Sequence, residues 1–225
     1  MRWSEEVSVP TKNTNVKLHK VVLLDCSGSM QGEKYNAAEQ GVREDYKLCQ
    51  DQGVRLDYEG CKNEFADYLL VEFSNYNWRK LYDFTTGLVF SPSFGGTALY
   101  DTIEVVFNDL LTSIPKEDKV LVQIFTDGMD MHSKPGARQR AKSLIGQFNA
   151  KGWTVTFVGT DHDVQYIQSN LSIDSTNTLV HDNTARGVKM SFETYTTATS
   201  NYTKSVKRGE TVVKNFFTKS IKPNE

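Results

Sequence analysis

Apolar side chains fall along this chain in short runs, the first of which becomes continuously apolar only toward its end. Longer segments between the runs carry them every third or fourth position. The runs are "VKLHKVVLLD" (16–25), "DYLLVEFS" (67–74), "DKVLVQIFTDG" (118–128) and "WTVTFVGT" (153–160). Runs of this kind read as strands buried on both faces. "KLYDF" (80–84) is shorter and more polar and reads as an edge strand; a weak strand is expected at 178–181. Helical spacing covers 33–50, where Tyr35, Ala38, Val42, Tyr46 and Cys49 share a face. It returns after residue 97 with Ile103, Val106, Phe107, Leu110 and Leu111, and Pro115 stops that helix. A third amphipathic stretch, 137–149, places Ala141, Leu144, Ile145 and Phe148 together and ends at Gly152. A short helix is expected around 163–170 and a longer one over 184–199, whereas the polar stretch 51–66 reads as a loop.

Strands alternating with amphipathic helices predict an α/β fold with a mostly parallel central sheet and helices on both faces. The two consecutive strands within 67–84 predict one antiparallel strand at an edge. Beyond about residue 203 the chain is polar and lysine-rich, with Lys204, Lys207, Lys214, Lys219 and Lys222. The expectation there is a partly ordered, solvated tail. The alternative is that "VVKNFF" (212–217) docks back as a helix or a strand.

Composition narrows the function classes. With 26 Lys and Arg against 28 Asp and Glu, the net charge is −2, which is no electrostatic footprint for nucleic acid. No run approaches the roughly 20 apolar residues of a membrane span, and "MRWSEEVSVP" lacks the apolar core of a signal peptide. Cys26, Cys49 and Cys61 are odd in number and unpaired in spacing, which suits a reducing compartment. A cytoplasmic location is therefore expected. The four histidines (His19, His132, His162, His181) are scattered and expected mostly at the surface.

Chemistry concentrates where the strands end. Open parallel sheets bind ligands outside the carboxyl ends of their strands. Asp25 closes the first strand, with Ser27 and Ser29 on the turn after it. Thr97 follows the Gly95–Gly96 pair, and Asp127 closes the 118–126 strand. The set holds oxygen donors only, which hard divalent cations select. Two carboxylates balance a 2+ charge. Coordination of one carboxylate through water leaves the ion seeking a further anion, such as an acidic side chain of a partner.

"DCSGS" (25–29), "GGT" (95–97) and "FTDG" (125–128) resemble, in order, the three parts of the metal-ion-dependent adhesion site of von Willebrand factor type A (VWA) domains. "GGTALYDTI" (95–103) is similar to intracellular bacterial and phage members. The resemblance covers roughly 16–200, leaving 1–15 as an N-terminal extension and 201–225 as a lysine-rich tail. It implies a Rossmann-like sheet and non-catalytic, metal-mediated protein binding. It also implies Asp25, Ser27, Ser29, Thr97 and Asp127 as ligands of Mg²⁺, with Mn²⁺ or Ca²⁺ as substitutes. The partner would be a protein presenting Asp or Glu, for instance an AAA-type ATPase or a multiprotein assembly.

Plainer roles exist for the same residues. Ser29 could cap the following helix and Thr97 the next one. Asp101 could complement a helix dipole. Asp130 is expected as a solvated loop carboxylate, or as an acceptor behind the site. Cys26 is expected as a small packed side chain, and Tyr76, Trp78 and Phe94 are expected either to border the site or to pack in the core. Two other functions compete. In one, the ion only orders loops of an assembly component. In the other, a metal-dependent phosphohydrolase, Asp25 is the phosphoryl acceptor. Against the enzyme, Ser27 stands where a second Asp would act as acid or base, and no lysine is obviously placed for a phosphate.

Overall fold

The computed structural model describes residues 16–54, 65–74, 78–81, 90, 92 and 94–217. The proposed N-terminal extension, Cys61, Tyr76 and the last three residues of the expected strand 80–84 lie outside them. Six strands are present among the described residues: β1 (Leu18–Asp25), β2 (Phe65–Phe73), β3 (Trp78–Leu81), β4 (Lys119–Phe125), β5 (Thr154–Gly159) and β6 (Thr178–Val180). Five helices alternate with them: α1 (Glu33–Val54), α2 (Leu99–Ser113), α3 (Ala137–Ala150), α4 (Asp161–Leu171) and α5 (Ala185–Lys207). The strands lie in the order β3-β2-β1-β4-β5-β6. Every neighbouring pair runs parallel except β2 and β3, which are antiparallel at one edge.

Both faces are covered, so alternate residues of one strand enter two cores. Val21 and Leu23 join the core beneath α2, α3 and α4. Leu18, Val22 and Leu24 join the one beneath α1 and α5. This is why all eight residues of β1 are buried, the charged ones included. Lys20, fully buried, is paired with Asp45 of α1. The second Asp45 oxygen accepts from the Tyr68 hydroxyl of β2 at 2.6 Å, and the Lys20 ammonium sits 4.6 Å from the Tyr195 ring centre of α5. Helices α1 and α5 approach closely at Gly41, where an added Cβ would fall 2.3 Å from the Phe192 ring.

Two expectations are corrected. Residue 201 falls inside α5, which continues to Lys207. Residues 208–217 do not float in solvent. Val212, Phe216 and Phe217 are buried in the α1/α5 core, and they reach it without forming helix or strand. Asn177 donates to the Val213 carbonyl at 2.6 Å and accepts from the Phe216 amide at 3.2 Å. The Thr176 hydroxyl accepts from the Asn215 amide at 2.7 Å, and Lys214 pairs with Asp174 at 2.9 Å. The histidines divide evenly: His132 and His162 are exposed, His19 and His181 buried. His19 meets Asp118 at 3.0 Å, and His181 stacks on Phe125. Among the described residues no helix is long and apolar enough to cross a membrane.

Candidate functional site

The strand order reverses between β1 and β4, the crevice where doubly wound sheets bind ligands. Asp25 ends one of these strands, and Asp127 follows the other by two residues. Three loops gather above them and are stitched together by backbone. The Cys26 amide donates to the Phe73 carbonyl at 2.9 Å, fastening the first loop to β2. The Gly28 amide donates to the Gly95 carbonyl at 2.7 Å, fastening it to the second. The amides of Met131 and His132 both donate to the Thr97 carbonyl, at 3.1 and 3.0 Å, joining the second loop to the third.

Side-chain oxygens converge inside this frame. Asp25 is fully buried; its Oδ1 accepts from the Ser27 amide at 2.7 Å and its Oδ2 from the Thr126 hydroxyl at 2.5 Å. The Ser27 and Ser29 hydroxyls are 3.0 Å apart. The Ser29 hydroxyl donates to Asp127 Oδ1 at 2.5 Å. A Cβ placed on Gly128 would stand 3.5 Å from both the Ser29 and the Thr97 hydroxyl oxygens. The missing side chain there leaves a cradle that those two oxygens border. Burial grades outward from Asp25 through Ser27, Thr97 and Asp127 to the exposed Ser29. All five expected donors therefore face one small region at the rim of the sheet.

The capping roles of Ser29 and Thr97 fail on geometry. Ser29 lies in a short 3₁₀ turn, Gly28–Met30, and its hydroxyl is turned to Asp127, not to α1. Ala98, not Thr97, is the residue before the first turn of α2, and no side chain caps that helix from the position. Asp130 is half-buried. Its Oδ1 accepts from the Tyr100 amide at 3.3 Å and the Ser133 hydroxyl at 2.5 Å, so it closes the start of α2 from the neighbouring loop. Asp101, in the first turn of α2, accepts from the Lys134 amide at 3.2 Å and so fixes the same loop. Cys26 is packed as expected, its thiol donating to the Phe73 carbonyl at 3.2 Å.

Burial pushes the Asp25 carboxyl up to about 7 from its ordinary range; the hydrogen bonds from Thr126 and Ser27 pull the other way, and the charge of Asp127 adds to the rise. Burial likewise raises Asp130, opposed by the Ser133 hydrogen bond.

The sequence reading missed three participants. Thr126 orients Asp25 from the end of β4. Lys34, in the first turn of α1, sets its ammonium against Asp127 Oδ2, and the same ammonium donates to Asn183 Oδ1 at 2.8 Å. The sequence places no lysine obviously for a phosphate, and the structure sets Lys34 against an Asp127 oxygen. A lysine one helical turn beyond the serine loop was a usable signal, because that turn must run back over the strand ends. Asn183, 149 residues from Lys34 in sequence, gave none.

Apolar side chains surround the oxygens. Phe94, Met129 and Met131 are exposed, Met131 to 72%. Phe94 rests edge-on against Tyr35 of α1, ring centres 5.5 Å apart. Tyr76 and the Trp78 side chain, also expected here, lie outside what is described. Among the described residues no three His, Cys, Asp or Glu side chains group together as metal ligands. Any cation held here must use the hydroxyls, and two carboxylates with three hydroxyls suit a hard one.

A parallel sheet with both faces covered and oxygen-bearing loops at its switch point defines an α/β domain of Rossmann-like form. The sequence matches no protein-family model and no curated protein. Solved structures are similar in fold. Proximal thread matrix protein 1 from the mussel byssus superposes with a TM-score of 0.57 at 16% identity, over 80% of this chain and 47% of that one. The ArnB paralog VWA2 from Sulfolobus acidocaldarius gives 0.52 at 15%, over 81% and 46%. The SpRpn10 VWA domain gives 0.52 at 11%, over 80% and 94%. The chain thus spans about half the length of the first two. The chain has a VWA-like fold.

Proposed function

We propose that this chain is a non-catalytic, divalent-metal-dependent binding module that captures an acidic side chain of a partner protein at the rim of its sheet. The observation that carries the reading is the convergence of oxygens from three distant segments on the cradle beside Gly128. Asp25, Ser27, Ser29, Thr97 and Asp127 would hold the ion, Mg²⁺ by preference and Mn²⁺ or Ca²⁺ as substitutes. When bound, a cation of this kind supplies a positive centre that bonds a carboxylate oxygen. The chain's own residues do the rest. Thr126 and the Ser27 amide keep the Asp25 carboxylate aimed. The backbone ties among the three loops hold the hydroxyls in place before any ligand arrives. Phe94, Met129 and Met131 offer an apolar rim of the adaptable, sulfur-containing kind that suits protein surfaces.

Two features support the non-catalytic side of the proposal. Asp25 is fully buried with both oxygens engaged, a poor posture for attack on phosphorus. Ser27 occupies the place of a second acidic group. The "GGTALYDTI" segment favours the intracellular bacterial and phage type. A cytoplasmic setting beside an AAA-type ATPase or within a multiprotein assembly follows from that type.

The test is affinity capture from a cell extract with wild type and Asp127→Ala. Proteins held by wild type should be released by chelator and restored by Mg²⁺. Asp127→Ala should hold none of them while keeping its circular dichroism spectrum. Retention in excess chelator would refute the metal dependence.

A further inference from the structure

Lys34 is a charged group at the candidate site that the donor set does not explain. Its ammonium bonds Asp127 on Oδ2, the oxygen opposite the one that Ser29 engages, and is anchored from the β6–α5 loop by Asn183. The Lys34 side chain is only 19% exposed. With Asp25 and Asp127 both ionised, these two carboxylates and the Lys34 ammonium sum to −1. A divalent ion brings the sum to +1. Without Lys34 the same loading would end at zero.

We propose that Lys34 is a tethered cation that sets the ligand preference of this site, weakening its hold on a divalent ion and strengthening the loaded site's hold on a single carboxylate. The inference rests on the metal-dependent reading above. The physics is direct. Like charges at a half-buried rim repel with an energy that even solvent-like screening leaves above a few-fold in affinity. The surplus positive charge of the loaded site is then removed by one monoanion, and a partner's Asp or Glu supplies it. A neutral polar ligand does not. Lys34 thus trades metal affinity for selectivity, and the two effects must appear with opposite signs.

The experiment uses the full chain and Mn²⁺ alone as the probe, with free Mn²⁺ read by electron paramagnetic resonance. Lys34→Met should bind Mn²⁺ at least about fivefold tighter than wild type. Lys34→Gln, which keeps a hydrogen-bond donor, should tighten alike, and Lys34→Arg should stay near wild type. In a second arm, acetate is titrated against the Mn²⁺-loaded chains and water-proton relaxation reports entry of the carboxylate. Half-saturating acetate should rise about fivefold or more in Lys34→Met and Lys34→Gln. Equal or weaker Mn²⁺ binding in these variants would overturn the proposal and leave Lys34 a loop-fastening contact. So would unchanged acetate binding. A wild type that binds no Mn²⁺ would remove the metal reading itself and this proposal with it.

Discussion

Asp45→Asn should be among the most damaging substitutions in this protein, although it keeps shape and changes one atom's chemistry. Lys20 and Asp45 are both fully buried. With the carboxylate gone, the Lys20 ammonium keeps the Thr199 hydroxyl at 3.5 Å, the Tyr195 and Tyr68 ring faces at 4.6 and 5.7 Å, and a neutral amide oxygen in place of its counter-charge. Breaking a buried pair by removing one partner costs about 3–5 kcal/mol, because an uncompensated charge stays in a dry interior. Lys20→Met should cost a similar amount, about 3–5 kcal/mol, since Asp45 would then rely on the Tyr68 hydroxyl alone. Against a total stability on the order of 5–15 kcal/mol, each single variant loses roughly a fifth or more of it. The double variant Lys20→Met with Asp45→Asn buries no charge, and the Tyr68 hydroxyl still finds an oxygen. It should lose only about 1–2 kcal/mol. Urea titration followed by the fluorescence of the buried Trp153 reads all four chains. Single variants within 1 kcal/mol of wild type would refute the reasoning, and so would a double variant no more stable than the worse single.

The docked C-terminal segment supplies two further tests. Phe216 is 2% exposed and packs among Tyr195, Tyr202 and Phe217, so Phe216→Ala should cost about 3–5 kcal/mol in a thermal melt; a solvated tail would lose nothing. Asp174 is held down to about 2, first by the Thr176 hydroxyl and then by Lys214. A depressed carboxyl stabilises the fold above its unfolded value near 4 and loses that contribution as pH falls through about 2. Wild type should therefore melt above Asp174→Asn at pH 6, with the gap closing between pH 4 and pH 2; a gap independent of pH would contradict the assignment.

What the sequence made legible was whatever repeats along one element or closes it. The runs 118–128 and 153–160 became β4 and β5 because a strand buried on both faces needs unbroken apolar character. Asp25 and Asp127 stood out because each breaks such a run abruptly. Strands β1 and β4 are neighbours at the switch point, so those breaks meet in space, and the Thr97 loop is brought over them by α2 crossing to β4. Residues whose role depends on a distant partner stayed hidden. The role of Lys20 stayed hidden, because nothing local reveals that Asp45 waits above it on α1. The segment 212–217 looked solvated because its lysine-rich surroundings outweighed four apolar side chains, while its anchors, Asp174, Thr176 and Asn177, lie some 40 residues earlier. Lys34 combined both difficulties. It sits on an ordinary polar face of α1, yet its ammonium reaches the far side of the switch point, where Asp127 and Asn183 arrive from the ends of β4 and β6. The donors of the site can be read from strand endings. Its charge depends on a helix turn folding back over them, which sets the Lys34 ammonium against Asp127.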